Sequence, residues 1–321
     1  MIPTFPNFKK LELADRHDVE RFTRGRPPSS DFNFAGLWCW DTDEQIHIAQ
    51  LDGHLVMRSV DYQTGEPFYT FTGPDGEGSC GVAAILLDHA AREGLPPQLR
   101  LIPEHLAGSL RAGGLEVAED PDNHDYILSV ERLERQPATA HSSPMTKVRR
   151  FLRERPTARA AALDFTSPCM RQEMAQVAEL WARNKGETNP KEEIALARLV
   201  SRSQEFRLAG TGAWVAGRLA AFQVYELLAD GYAMAHFIKY DRRIRGLSEY
   251  LTLMAAGALR QHGCQWFNYE QDLGIPGLRM HKRGLQPVAY LKKYIVTKSQ
   301  GGQSPLATRG QAHFSPSTGE K

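Results

Sequence analysis

From Tyr232 to Asp272 the chain reads YAMAHFIKYDRRIRGLSEYLTLMAAGALRQHGCQWFNYEQD. Its residue types there favour the binding of an anion. Arg242, Arg243 and Arg245 crowd a short loop that runs into Gly246, Leu247 and Ser248. A loop passing from a strand end to a helix N-terminus leaves backbone N–H groups unpaired. Arginines beside them fit the junction to a phosphate or another anion.

The flanking elements must hold that loop in place. Tyr232 to Tyr240 is apolar and aromatic with one lysine and reads as a strand. Leu247, Tyr250, Leu251, Met254 and Ala258 then recur at i, i+3, i+4, i+7 and i+11, one face of a helix that Gly263 can terminate. That face must pack on a sheet. A second basic stretch, Met145 to Arg159, carries Lys147, Arg149, Arg150, Arg153, Arg155 and Arg159 against Glu154 alone. It is either a solvated linker helix or a surface that follows a phosphate backbone.

With 321 residues, 41% of them hydrophobic and 24% charged, the chain has the make-up of a soluble protein of about two domains. A net charge of +1 excludes nucleic-acid binding over the whole surface and leaves room for local patches. The sequence shows no apolar run of the roughly 18 to 20 residues that a membrane span needs, and MIPTFPNFKK lacks the features of a signal peptide, so a cytoplasmic protein is expected. Cys39, Cys80, Cys169 and Cys264 form no CxxC, which points to neither disulfides nor a metal. A monomer is expected.

In chain order, Phe8 to Leu13 reads as a short strand and Arg16 to Arg24 as a helix capped by Asp15. Residues 29–40 mix polar groups with large aromatics without a period; they cover a core edge or form a pocket wall. Gln45 to Met57 is a hairpin around Asp52-Gly53. Phe68 to Thr72 is a strand, and the glycine loop from Gly73 to Ser79 leads to a helix ending near Gly94. That loop is acidic, so a structural turn is expected there. Gln98 to Ile102 and Asp125 to Val130 read as strands, and Glu104 to Ala112 as a short helix. Asp120, Asp122 and Asp125 lack a full ligand spacing and read as a solvated turn. The second half gives a strand from Ala158 to Phe165, helices through Trp181 and from Pro190 to Ser203, and a hairpin at Ala216 to Arg218. The strand, loop and helix described first come next. Trp266 to Tyr269 is then a strand, Ile275 to Arg283 a short helix and Val288 to Val296 a last strand.

The two halves therefore share one order of elements, and two similar mixed α/β domains are expected. Their bounds are 1–140 and 158–298, with a basic linker helix over 141–157 and a disordered tail over 299–321.

Arg243-Ile244-Arg245-Gly246-Leu247-Ser248 resembles the GNAT acyltransferase signature R/Q-x-x-G-x-G/A, with Ser248 in place of the last Gly or Ala. Further motifs are Ser30 to Phe34 with Leu37-Trp38, Asp61-Tyr62, Thr64 to Tyr69, Asn268 to Gly274, Gly277 to Arg279, Lys282 and Pro287. Together they look like tandem-GNAT proteins related to the C-terminal domain of phosphatidylglycerol lysyltransferase. The resemblance covers residues 3 to 297 and implies two tandem GNAT-like domains, each a central mixed sheet flanked by helices. It also implies an aminoacyl group moved from aminoacyl-tRNA to an amine or hydroxyl of a small-molecule acceptor, as in the similar Fem-type enzymes.

That chemistry needs proximity, a base and an oxyanion partner, and no metal. The resemblance implies Arg242, Arg243, Arg245, Gly246 and Ser248 as the donor-phosphate site, and Lys147, Arg149, Arg150 and Arg153 along the tRNA. Glu270 or Asp272 is then the base or amine-binding carboxylate, and Lys282 the oxyanion or phosphate contact. Asp31, Asn33 and Trp38 line the acceptor side. A coenzyme-A-dependent N-acyltransferase with acetyl-CoA as donor, and a non-catalytic binding module of the same fold, remain as alternatives.

Overall fold

Positive φ at Asp52 and Gly53 closes the first hairpin, as the dipeptide predicts, and Ala216 and Gly217 do the same in the second half. Around these turns the computed structural model describes residues 1–135, 143–186 and 189–299. The first half contains β1 (Lys9–Lys10), α1 (Arg16–Thr23), α2 (Phe34–Trp40), β2 (His47–Leu51), β3 (His54–Val60), β4 (Pro67–Thr72) and α3 (Glu77–Arg92). It continues with β5 (Gln98–Pro103), α4 (Glu104–Ala112), β6 (Leu115–Glu119), β7 (Asp125–Ser129) and α5 (Val130–Glu134). The second half contains α6 (Pro144–Glu154), β8 (Arg159–Ala162), α7 (Pro168–Lys185), α8 (Pro190–Ser201), β9 (Leu208–Val215) and β10 (Arg218–Leu227). After these come β11 (Tyr232–Tyr240), α9 (Leu247–Gln261), β12 (Trp266–Asn268), α10 (Pro276–Gly284), β13 (Ala289–Leu291) and β14 (Lys293–Lys298). The linker residues 136–142 and the tail from 300 onward, expected to be disordered, lie outside the described residues.

The strands form two seven-stranded mixed sheets, ordered β1-β2-β3-β4-β5-β14-β6 and β13-β7-β12-β11-β10-β9-β8. Each has one parallel pair, β4 with β5 and β11 with β12, at the same place in its order. This is the mixed α/β double fold that the repeated element order predicts.

One exchange breaks the simple picture. β7 belongs to the first half in sequence and pairs with β12 and β13 in the second sheet. β14 does the converse, lying between β5 and β6. The segments 1–140 and 158–298 therefore do not each close their own sheet. The single strand expected over Val288 to Val296 is instead two, β13 in one sheet and β14 in the other, separated at Lys292. No Gly or Pro punctuates that crossing, so no turn residue marks it. β6 was also not anticipated. Its exposed residues give no clean alternation. The aperiodic 29–40 segment contains α2, capped by the Asn33 side chain accepting from Gly36 N–H.

The central core is shared by both halves. Phe34, Ile48, Leu55 and Met57 pack with Met174, Leu199, Phe222 and Phe237 in one continuous apolar cluster. Outer layers lie on the far faces. Helices α3 and α4 cover the first sheet, α9 with α5 covers the second, and α6 packs on α9 through Val148, Phe151, Leu247 and Tyr250.

Gly246 shows why that last contact needs glycine. Its φ is +82°, and a Cβ there would lie 2.8 Å from the Lys147 carbonyl oxygen and 2.9 Å from Phe151 Cβ. Gly246→Ala is therefore expected to cost about 1–3 kcal/mol in urea unfolding and to loosen α6 from α9. Truncation after Lys292 removes an interior strand of the first sheet, between β5 and β6. Circular dichroism and unfolding should show loss of cooperative folding of the whole chain, and an unchanged midpoint would show that β14 is dispensable.

Candidate active site

The exchanged strands begin with charges of opposite sign. Asp125 opens β7 and Lys293 opens β14, both fully buried, and Lys293 Nζ lies 2.6 Å from Asp125 Oδ1. Asp31 makes a second ion pair with the same ammonium. Ser30 donates its backbone N–H at 2.7 Å and its hydroxyl at 2.6 Å to Asp125, and Asn268 Nδ2 adds a bond at 3.0 Å. Two carboxylates thus share one cation. Burial of Asp31, opposed by Lys293 and reinforced by Asp125, pushes its carboxyl up to about 6. Asp31 holds the halves together at this point.

Next to this network the parallel pair β11 and β12 comes apart. The strands are in register only from Tyr232 with Trp266 to Met234 with Asn268. Two residues further along, at His236 and Glu270, the strands have separated. Toward β10, Val224 faces Phe237 while the adjacent Tyr225 faces Ala235, so His236 is the extra residue of a β-bulge. The bulge places its imidazole, with no exposed side-chain surface, between two carboxylates. Nε2 lies 3.6 Å from Glu226 and Nδ1 lies 3.4 Å from Glu270. Asn33 Nδ2 donates to Glu226 at 2.7 Å, so the α2 cap also anchors this group. Burial alone would lower the imidazole; the two glutamates outweigh it and raise it to about 9.

Glu270 reaches the opening, with 26% of its side chain exposed. Its φ of 56° lies in the left-handed region that costs a glutamate energy, and its N–H is held by Asn268 Oδ1 at 2.8 Å. Asp272 differs. It is fully buried, takes two hydrogen bonds from Arg279 at 2.7 and 2.8 Å, one from the Tyr126 hydroxyl at 2.5 Å, and one from Gly274 N–H. Burial would raise its carboxyl, but Arg279 and Tyr126 hold it below the usual range. These bonds make Asp272 a structural anchor for α10. Asp122 pairs with the same Arg279, and the described residues hold no cluster of metal-binding groups.

Lys282 projects from α10 into the gap between β11 and β12. Its ammonium donates to the carbonyls of Tyr269 at 2.5 Å and Gln271 at 2.8 Å, which leaves one N–H. Burial lowers it to about 8, against the pull of Glu270, Asp125 and Asp272.

The glycine loop is less open than its sequence implies. Arg243 is clamped on Asp241 by bonds of 2.9 and 2.8 Å, and Ser248 donates to Glu249. Glu249 sits in the first turn of α9 and pairs with Lys147 at 2.8 Å. Arg150 pairs with Glu154. Arg149, Arg153, Arg242 and Arg245 are exposed and have no carboxylate partner among the described residues. Trp38 packs on Phe206 and under Arg198, away from the His236 cluster. In the first half, His54 fills the equivalent loop and bonds the Pro74 carbonyl, as expected for a structural turn.

The fold brings Glu270, Lys282, Asp31 and Asn33, all expected from the sequence, to one region, and places His236, Glu226, Asp125 and Lys293, which were not expected there, among them. For His236 and Glu226 the signal was present as titratable residues inside the largely apolar runs YAMAHFIKY and RLAAFQVYEL.

Residues 23–297 match the family described as phosphatidylglycerol lysyltransferase, C-terminal, and the chain belongs to that family. It is similar to the structure of a conserved protein of unknown function from Bacteroides thetaiotaomicron, at 24% identity and TM-score 0.77, covering 93% of this chain and 100% of that one. L-PGS from Bacillus licheniformis is similar at 13% identity and TM-score 0.61, covering 94% and 95% of the respective chains. FemX is similar at 10% identity and TM-score 0.56, covering 90% and 95%. These likenesses show a common tandem GNAT-like fold. No curated protein matches the chain. Among the described residues no helix is long and apolar enough to cross a membrane.

Asp272→Asn is expected to destabilise the chain toward the low end of about 3–5 kcal/mol, because Arg279 keeps Asp122 and some contact with water. Urea unfolding measures the loss. His236 should give stability that is complete below its ordinary value of 6.5 and is lost as pH rises through about 9. A Glu226→Gln, Glu270→Gln double variant should lack that fall in the urea midpoint.

Proposed function

We propose, from membership of this family, that the chain takes an aminoacyl group from the 3′ ester of an aminoacyl-tRNA. It gives the group to an amine or hydroxyl of a small-molecule acceptor. The reaction sits where β11 and β12 part, in the half spanning 158–298. Glu270 takes the proton of the attacking group as the new N–C or O–C bond forms at the ester carbonyl. The remaining N–H of Lys282 faces the tetrahedral oxyanion, and the ammonium, lowered toward neutrality, protonates the departing ribose oxygen as the C–O bond breaks. Asp31 and Asn33 fix the acceptor side through Lys293 and Glu226.

The observation that supports tRNA over coenzyme A is the cover on the glycine loop. The α6 backbone lies against Gly246 and the Glu249 carboxylate occupies the first turn of α9, where a pyrophosphate would need open N–H groups. α6 packs on α9, and Arg149 and Arg153 of α6, like Arg242 and Arg245 of the loop before α9, are exposed. These four free cations suit a nucleic-acid backbone read by shape and phosphate.

Purified protein should bind bulk tRNA charged with labelled amino acids and accelerate loss of the ester. Arg149→Ala with Arg153→Ala should weaken binding and lower its salt slope by about 1–2. Glu270→Gln should bind normally and turn over at least about a hundredfold more slowly. Acetyl-CoA should leave the melting temperature unchanged; a rise of several degrees without tRNA binding would reverse the assignment of the donor.

A further inference from the structure

Glu270 needs more than its position to act. It occupies a strained conformation at the end of a short strand, with part of its side chain in water. One neighbour, His236 of β11, lies 3.4 Å from its carboxylate.

We propose that His236 is the positioning residue for Glu270 in the transfer reaction, its Nδ1 side holding the Glu270 carboxylate toward the opening while its Nε2 side is anchored on Glu226. The inference rests on the reaction proposed above. Three features of the fold converge on it. The bulge between β10 and β11 exists at this residue alone on β11, and it turns the ring into the gap. The ring is fully enclosed, yet neither nitrogen has a well-formed hydrogen bond, at 3.4 and 3.6 Å from its carboxylates. A purely structural histidine in so dry a site would be expected to have closed those bonds. Long contacts of this kind are typical of an unliganded site that tightens when substrate arrives. Finally, Glu226 is tied to the α2 cap through Asn33.

The charged groups facing the ring come from two elements, Glu226 from β10 and Glu270 after β12; Asn33 holds Glu226, and Cys39 of α2 lies in the field of both glutamates. Cys39 donates to the Gly36 carbonyl and burial raises its thiol, so it adds no charge. The arrangement is therefore a rigid anchor, an imidazole and a movable carboxylate in series.

Two amide variants separate the two sides of the ring. The Asn amide nitrogen reproduces the position of Nδ1, and the Gln amide nitrogen that of Nε2. His236→Asn should keep transfer from bulk charged tRNA within about threefold of wild type, because the Glu270 side survives. His236→Gln should lower kcat by about ten- to a hundredfold with KM for charged tRNA unchanged. Equal activity in both variants, or a loss in both that follows their melting temperatures, would overturn the proposal.

Ring-labelled histidine NMR on the intact protein supplies a readout that needs no substrate. Glu270→Gln should move the His236 Nδ1 resonance, and Glu226→Gln the Nε2 resonance. No response to Glu270→Gln would reject the link between His236 and Glu270. A response in a protein that never turns over charged tRNA would reject the reaction proposed above.

Discussion

One buried ammonium fixes the geometry of the molecule. Lys293 is fully enclosed, and its charge is balanced by Asp125 and Asp31 with Ser30 completing its contacts. Such a group does little for net stability, because desolvating three ions offsets their attraction. Its effect is on register. Lys293 and Asp125 each open an exchanged strand, so the ion pair pins β14 and β7 where the two sheets meet. A slip of one residue in either strand would leave a bare charge in a dry core, which costs far more than the pair contributes. Asp31 and Asn268 join this fixed point to the segments that present Asn33 and Glu270.

The rest of the site is built by separation. β11 and β12 pair over three residues and then part, leaving carbonyls at Tyr269 and Gln271 that a continuing sheet would have satisfied. Lys282 takes their place as partner, which carries a cation deep into the gap. Opposite it the bulge delivers His236. Carboxylates and cations alternate through the region, and their proton affinities are driven apart by unequal burial: Asp272 falls, Asp31 rises to about 6 and Lys282 falls to about 8. Groups of both signs near neutrality are what general acid–base chemistry uses.

The doubled order of elements could be read from turns such as Asp52-Gly53 and from the helical spacing after Gly246, because local geometry dictates those residue types. Glu270 and Lys282 stand in the motifs that carry the resemblance, and the fold brings both to the place where β11 and β12 part. The strand exchange was not, since β13 and β14 are joined by Lys292 without a turn residue and an apolar run carries no mark of the sheet it enters. Asp125 looked like part of a solvated acidic turn, and only the packing shows that its charge is answered from 168 residues away. The closed state of the glycine loop was hidden as well. Arg243 pairs with Asp241 two residues before it, whereas Lys147 finds Glu249 only where α6 settles on α9, a contact between segments about a hundred residues apart.

The exchange of β7 and β14 also constrains how the chain is made. Synthesis runs from the N-terminus, and domains ordinarily fold as units in the order they appear. Here the first sheet must wait for its sixth strand in spatial order until residues 293–298 have been made, almost the whole chain later, and β7 stands idle until β12 and β13 arrive. Through most of translation both sheets carry open edges, with β5 and β6 unjoined and apolar strands facing water. The fold therefore commits late and all at once. A protein of this topology depends on its nascent chain being shielded until the last strand is available, and a ribosome that stalls before Lys293 leaves two half-finished sheets rather than one finished domain.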